Sequence, residues 1–179
     1  MKKKPVFLYV LLGISTLGLL SNIYGFIQRP NVIKTWTEFR NDETIVQQLG
    51  GVETINLQIA TFEWAGSPLA LAMTAVVTVL FGLSAFFLFF KKDVVKSTYT
   101  YLAMRLAVFI SGVVSIMVSN QMARSFLKNK DQLVGVLNAN KFFAIFTVII
   151  FLLLSAIAYF GLRRYQKALE AEVFDGEVL

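Results

Sequence analysis

The stretch PLALAMTAVVTVLFGLSAFFLFF, Pro68–Phe90, holds no charged residue. At 1.5 Å per residue it is long enough as a helix to cross a hydrocarbon core about 30 Å thick. Three further runs read the same way: Val6–Ile27, Tyr99–Ser119 and Phe142–Leu162. The composition agrees, with 56% hydrophobic and 14% aromatic residues and a mean hydropathy of +0.66; soluble domains carry roughly 45–50% apolar residues. The expectation is an all-α integral membrane protein, one membrane domain built as a four-transmembrane-helix bundle with spans at about 6–27, 68–90, 99–119 and 142–162.

Two segments between the spans are polar. Residues 28–66 form a long first loop and residues 120–140 a second segment, while residues 163–179 form a tail rich in acidic residues at its end. Lys2–Lys4, Lys91, Lys92 and Lys96, and Arg163, Arg164 and Lys167 crowd three span ends that share one face, so both termini are expected in the cytoplasm. The first loop sets Arg29, Lys34 and Arg40 against Glu38, Asp42, Glu43, Glu53 and Glu63 and reads as exported. The net charge of +6 is thereby explained by topology rather than by a nucleic-acid surface. Localisation follows as a multi-pass cell-membrane protein.

The 28–66 loop divides at Gly50–Gly51, which read as a turn. Ile33, Trp36, Phe39, Ile45, Val46 and Leu49 have helical periodicity and predict one or two short amphipathic helices. The second half carries two patterns at once. Ile55, Leu57 and Ile59 alternate as in a strand, whereas Val52, Ile55, Ile59 and Phe62 fit a helix, and the reading leans to an extended segment. About 39 residues without disulfides do not hold a core unaided, so the loop must fold against the span ends, the 120–140 segment or a partner.

Several features point to helix packing. Ser67 and Pro68 suit an N-cap and first helical position. Ala70, Thr74, Thr78 and Gly82 in span two, and Ala103, Ala107, Ser111, Ser115 and Ser119 in span three, form small-residue rows that let membrane helices approach closely and suggest mutual packing. Gly18, Ser21 and Gly25 make a similar flat side in span one. Arg105 is the only charge well inside a span, and no Asp or Glu lies in any of the four. A charge at such depth is a functional candidate, with snorkelling to lipid phosphates as the competing reading.

Cysteine and histidine are both absent. Thiol chemistry, ordinary zinc sites, bis-histidine haem ligation and Ser-His-Asp catalysis are therefore unavailable within the chain. No phosphate-cradling loop or metal-type carboxylate cluster is encoded, so the expectation is a protein that is not an enzyme and carries no cofactor and no metal site. An accessory or regulatory subunit of a membrane transporter or envelope complex is the leading reading, its contact surface the exported loop. Candidate interaction residues are Trp36, Phe39, Arg40, Trp64 and Arg105. The alternative is a small oligomeric transporter or channel lined by Ser and Thr. Expected partners are the lipid bilayer and another membrane protein, with homo-oligomerisation open and no nucleic acid. Four spans with a long first exported loop resemble the layout of claudin-like tetraspan proteins, without that family's Gly-Leu-Trp and paired cysteines; the resemblance is of layout only.

Overall fold

The computed structural model describes residues 4–176, with side chains as far as residue 171. Six helices follow one another: α1 Val6–Phe39, α2 Glu43–Gln48, α3 Val52–Ala65, α4 Pro68–Phe89, α5 Val94–Phe126 and α6 Lys130–Gly176. Four of them, α1, α4, α5 and α6, are long and apolar enough to cross a membrane. Within the most apolar window of each, only 6–17% of residues are buried. Leu17 is 69% exposed and Phe160 61%. Such contiguous apolar surface is untenable in water and ordinary against lipid.

The chain divides into two compact units. Unit 1 comprises residues 1–19, 76–108 and 149–179. Here all four long helices pack together: Leu8, Leu11 and Leu12 of α1, Leu88 of α4, Tyr101 and Met104 of α5, and Ala158 and Leu162 of α6 form one core. Close approach is achieved with small residues. The Phe7 ring lies on Gly161, where a Cβ would come within 2.5 Å of it. Ser84 and Ser97 clasp α4 to α5 reciprocally: Ser84 Oγ donates to the Ser97 carbonyl at 2.9 Å and Ser97 Oγ to the Ser84 carbonyl at 2.7 Å, both side chains fully buried. Either single Ser→Ala change leaves its partner one bond, and the two together should cost about 1–2 kcal/mol, less than twice the larger single effect. A double-mutant cycle on unfolding in detergent checks this; strict additivity would show that the two hydroxyls do not act as a pair.

The α4–α5 turn is as tight as the sequence requires, with Lys92 at φ 54°. Asp93 begins α5 by accepting the Lys96 backbone N–H at 2.9 Å. That bond holds the Asp93 carboxyl below the ordinary carboxylate range. A depressed folded pKa contributes stability above the unfolded value, about 3.9, and that contribution disappears as pH falls through the folded pKa. The stability difference between wild type and Asp93→Asn is therefore expected to be constant from pH 7 to about pH 5 and to shrink at lower pH. Unfolding titrations across that range measure it. The Lys96–Asp93 ion pair, 3.4 Å with Lys96 exposed and Asp93 half-buried, adds little.

Unit 2 comprises residues 20–75 and 109–148. Its core is Leu57 of α3 against Ala123 and Leu127, flanked by Met122, Phe126, Leu133 and Val136. Ile55 is fully buried as well. The loop thus rests on the 120–140 segment, one of the supports the sequence allowed. Gly50 and Gly51 take φ 84° and 109° between α2 and α3, as a turn there demands. The Gly50 carbonyl accepts from Gln132 Nε2 at 2.7 Å, tying that turn to the start of α6.

Two expectations change, for the second half of the loop and for the end of span one, and two polar segments prove to be helical extensions of the spans. The leaning to extended structure in the second half of the loop is overturned: residues 52–65 are the helix α3. A lone strand there has no partner for its N–H and C=O groups, whereas a helix closes them internally. The loop also starts later than residue 28, because α1 continues through Pro30 to Phe39. The apolar run Val32, Ile33 and Trp36 carries the helix past the one bond that proline removes. The 120–140 segment is the end of α5 and the start of α6, separated only by residues 127–129. Finally, α6 runs on to Gly176, so the tail extends the last span helically; its final residues, 177–179, lie outside the described ones. The N-cap of α4 is as expected, with Ser67 Oγ accepting the Ala70 N–H at 3.3 Å and Pro68 first in the helix.

Candidate interaction site

Two places gather the candidate residues, one in each unit. In unit 2, Trp36 and Phe39 share the last turn of α1, their rings 5.8 Å apart and edge to face at 77°. Both are half-buried, and Arg40, which follows them, is exposed. Asp42 then caps α2, accepting the Thr44 and Ile45 N–H groups at 2.9 and 3.2 Å. Trp64 is half-buried near the end of α3 and makes no ring contact with the Trp36–Phe39 pair among the described residues. Sequence reasoning missed Arg29. Its guanidinium lies directly on Gly66, the residue ending α3, and its Cζ stands 5.7 Å from the Phe26 ring centroid. A cation at the C-terminal end of a helix meets the negative end of the helix dipole. The Glu38, Asp42 and Glu43 carboxylates do not converge; no group of acidic residues able to hold a metal occurs among the described residues.

In unit 1 the geometry centres on Arg105. It is half-buried on α5, and its Nε is sealed without a hydrogen-bond partner. One turn towards Val94 lies Tyr101, fully buried, its hydroxyl also without a partner. Ser15 of α1 is the side chain that approaches the Tyr101 hydroxyl, yet its Oγ is unbonded too. Ser155 of α6 contributes a fourth buried and unbonded polar atom, one turn from Ala158, which shares a core with Tyr101. Helix rise puts Ser15, Arg105 and Ser155 at about 12–15 Å from Pro5, Lys96 and Arg163 respectively, a common depth on three helices. Buried polar atoms are nearly always bonded, so four in one unit, three of them at a common depth, mark an unusual place. Only Arg105 was visible as a candidate in the sequence. Tyr101, Ser15 and Ser155 gave no signal, because hydroxyls scattered among apolar residues look the same whether or not the preceding turn satisfies them.

The small-residue rows divide. In span three, Ala107, Ser111, Ser115 and Ser119 are half-buried, and Asn140 Nδ2 donates to Ser119 Oγ and to Asn120 Oδ1, both at 2.9 Å. Ala103 is exposed. Beside this row Gly112 approaches α6 closely: a Cβ there would stand 3.1 Å from Thr147 Cγ2. In span two, Thr74, Thr78 and Gly82 are exposed, only Ala70 is half-buried, and a Cβ on Gly82 would meet nothing within 4 Å. The expected mutual packing of the two rows is not the contact α4 makes with α5; the Ser84–Ser97 clasp is. Gly18, Ser21 and Gly25 on α1 are likewise exposed.

Helical throughout its described elements, with four helices able to cross a membrane and a half-buried arginine among them, the chain is of the multi-pass membrane class. It belongs to the family described as "Domain of unknown function (DUF8777)", which matches residues 1–171. No curated protein and no solved structure matches it.

Proposed function

We propose that this protein is a non-catalytic accessory or regulatory subunit of a larger membrane transporter or envelope complex. Both termini are cytoplasmic in this reading, and the segment from the end of α1 through α3 is its extracytoplasmic contact surface. One observation carries it: within that segment α3 is packed through Leu57 on Ala123 and Leu127, and the turn before it is tied to Gln132, while Trp36, Phe39 and Arg40 at the end of α1 remain wholly or partly open. Large aromatic and arginine side chains on a fixed frame are the usual anchors of a protein interface. The donor sets that ordinary metal, thiol or triad catalysis needs are missing from the sequence, which also favours a binding role.

The transporter reading has less support. Ser119, at the end of the serine row, spends its oxygen on Asn140, and Thr74 lies on an exposed face with its hydroxyl bonded to the Ala70 carbonyl at 2.9 Å. Purification of the tagged chain from its own cells in mild detergent tests the accessory reading. A stoichiometric membrane partner whose recovery falls at least about tenfold when Trp36, Phe39 and Arg40 are all changed to alanine supports it. A clean monomer, or a partner indifferent to these changes, overturns it. A reporter after Leu179 that proved reachable from outside the cell would overturn the topology.

A further inference from the structure

We propose that Arg105 is the receptor for a carboxylate carried by a transmembrane helix of the partner protein, an Asp or Glu placed near the middle of that helix. The proposal deepens the accessory-subunit reading and rests on it.

Arg105 is charged at any physiological pH and has no acidic residue to pair with, since none occurs in the four spans. One turn away on α5 stands the Tyr101 hydroxyl, buried and unbonded like the Arg105 Nε, and the Ser15 and Ser155 hydroxyls of the same unit are buried and unbonded as well. Hydroxyls lend hydrogen bonds but no negative charge. A guanidinium that is half open at the surface of its unit, with no acidic residue in any span to neutralise it, is complementary to an anionic oxygen group arriving from outside the chain.

The source of that anion follows from depth and charge. Lipid phosphates first meet Lys91 in the α4–α5 turn and Lys96 in the first turn of α5, both exposed, and the buried Tyr101 ring stands between that end and Arg105 along the helix. A small aqueous anion would have to shed its own hydration in hydrocarbon, whereas a carboxylate on a partner helix is already inserted. A second copy of this chain brings only another Arg105, so this face repels itself.

The chain has no cysteine, which makes labelling direct. A single fluorophore is attached through Glu170→Cys, at an exposed tail position, and the full chain is placed in phosphatidylcholine vesicles. The probes are acceptor-labelled leucine-alanine transmembrane peptides with Asp, Asn or Leu at mid-helix. Energy transfer should report association of the Asp peptide at least about tenfold tighter than the Leu peptide, with Asn between them. Arg105→Leu should bring the Asp peptide down to the Leu level, and Arg105→Lys should keep part of the preference. Asp equal to Asn or Leu on the wild-type chain overturns the proposal, and that comparison needs no variant to fold. An Asp preference that survives Arg105→Leu overturns it too. So does one abolished by adding phosphatidylglycerol, which would assign the site to lipid phosphate. Because the peptides replace the native partner, a negative result here leaves the accessory reading to its own purification test, and a monomeric purification leaves this measurement intact.

Discussion

Leu57→Asp is expected to free α3 from the rest of unit 2. Leu57 is 5% exposed and packs on Ala123 and Leu127, and an unpaired carboxylate in that position costs several kcal/mol. The contact being opposed is small. Leu57 is one of two buried side chains of α3, with Ile55 the other, and Leu57→Ala alone should remove about 2–3 kcal/mol. The aspartate therefore exceeds what the contact supplies. Hydrogen exchange should rise across residues 52–65 and stay slow around Leu8, Tyr101 and Met104, whose core contains no part of α3. Protection of residues 52–65 equal to that of wild type would mean that α3 is held by something other than this core. The same variant should lose the proposed partner, since the contact surface depends on α3 for its shape.

The second large effect is expected at Tyr101, the bulkiest of the fully buried side chains. Tyr101→Ala should cost about 3–5 kcal/mol by removing the ring from among α1, α4, α5 and α6. Tyr101→Phe should behave in the opposite way. The hydroxyl makes no close hydrogen bond, with Ser15 the side chain that approaches it, so deleting it forfeits little and relieves the cost of burying a poorly paired polar group. Stability equal to wild type, or higher by up to about 1 kcal/mol, is the expected outcome of unfolding titrations in detergent. A Tyr101→Phe protein as unstable as Tyr101→Ala would show that the hydroxyl is bonded and that the polar set around Arg105 is already complete.

Much of the helical layout was legible because its causes are local. Uncharged apolar runs, the Ser67–Pro68 start of α4 and the Gly50–Gly51 turn each depend on residues adjacent in sequence, and each stands where the sequence placed it. The helix-or-strand choice for residues 52–65 was not local. Both periodicities were present, and the choice was settled by the absence of a partner strand and by the apolar shelf of Ala123 and Leu127 far along the chain. Small-residue rows misled for a related reason. In lipid, Gly82 and Thr78 are as acceptable facing outward as inward, so spacing alone does not say which side a membrane helix buries. The contact actually used, Ser84 on Ser97, follows from the short α4–α5 turn, which brings together residues close to that turn rather than the longest row.

For the candidate sites the division is sharper. The sequence by itself determined that the chain is built of helices long and apolar enough to cross a membrane and lacks the thiol and imidazole groups of common active sites. It also singled out Arg105, because a charge among apolar residues is visible without knowing its neighbours. Only the tertiary structure decided what surrounds that charge. Burying the Ser15 and Ser155 hydroxyls in the unit that holds Tyr101 and Arg105 requires three helices to pack at one particular rotation. Each helix is apolar on every side, so hydrophobicity leaves that rotation undetermined, and the fit of side chains in the core fixes it.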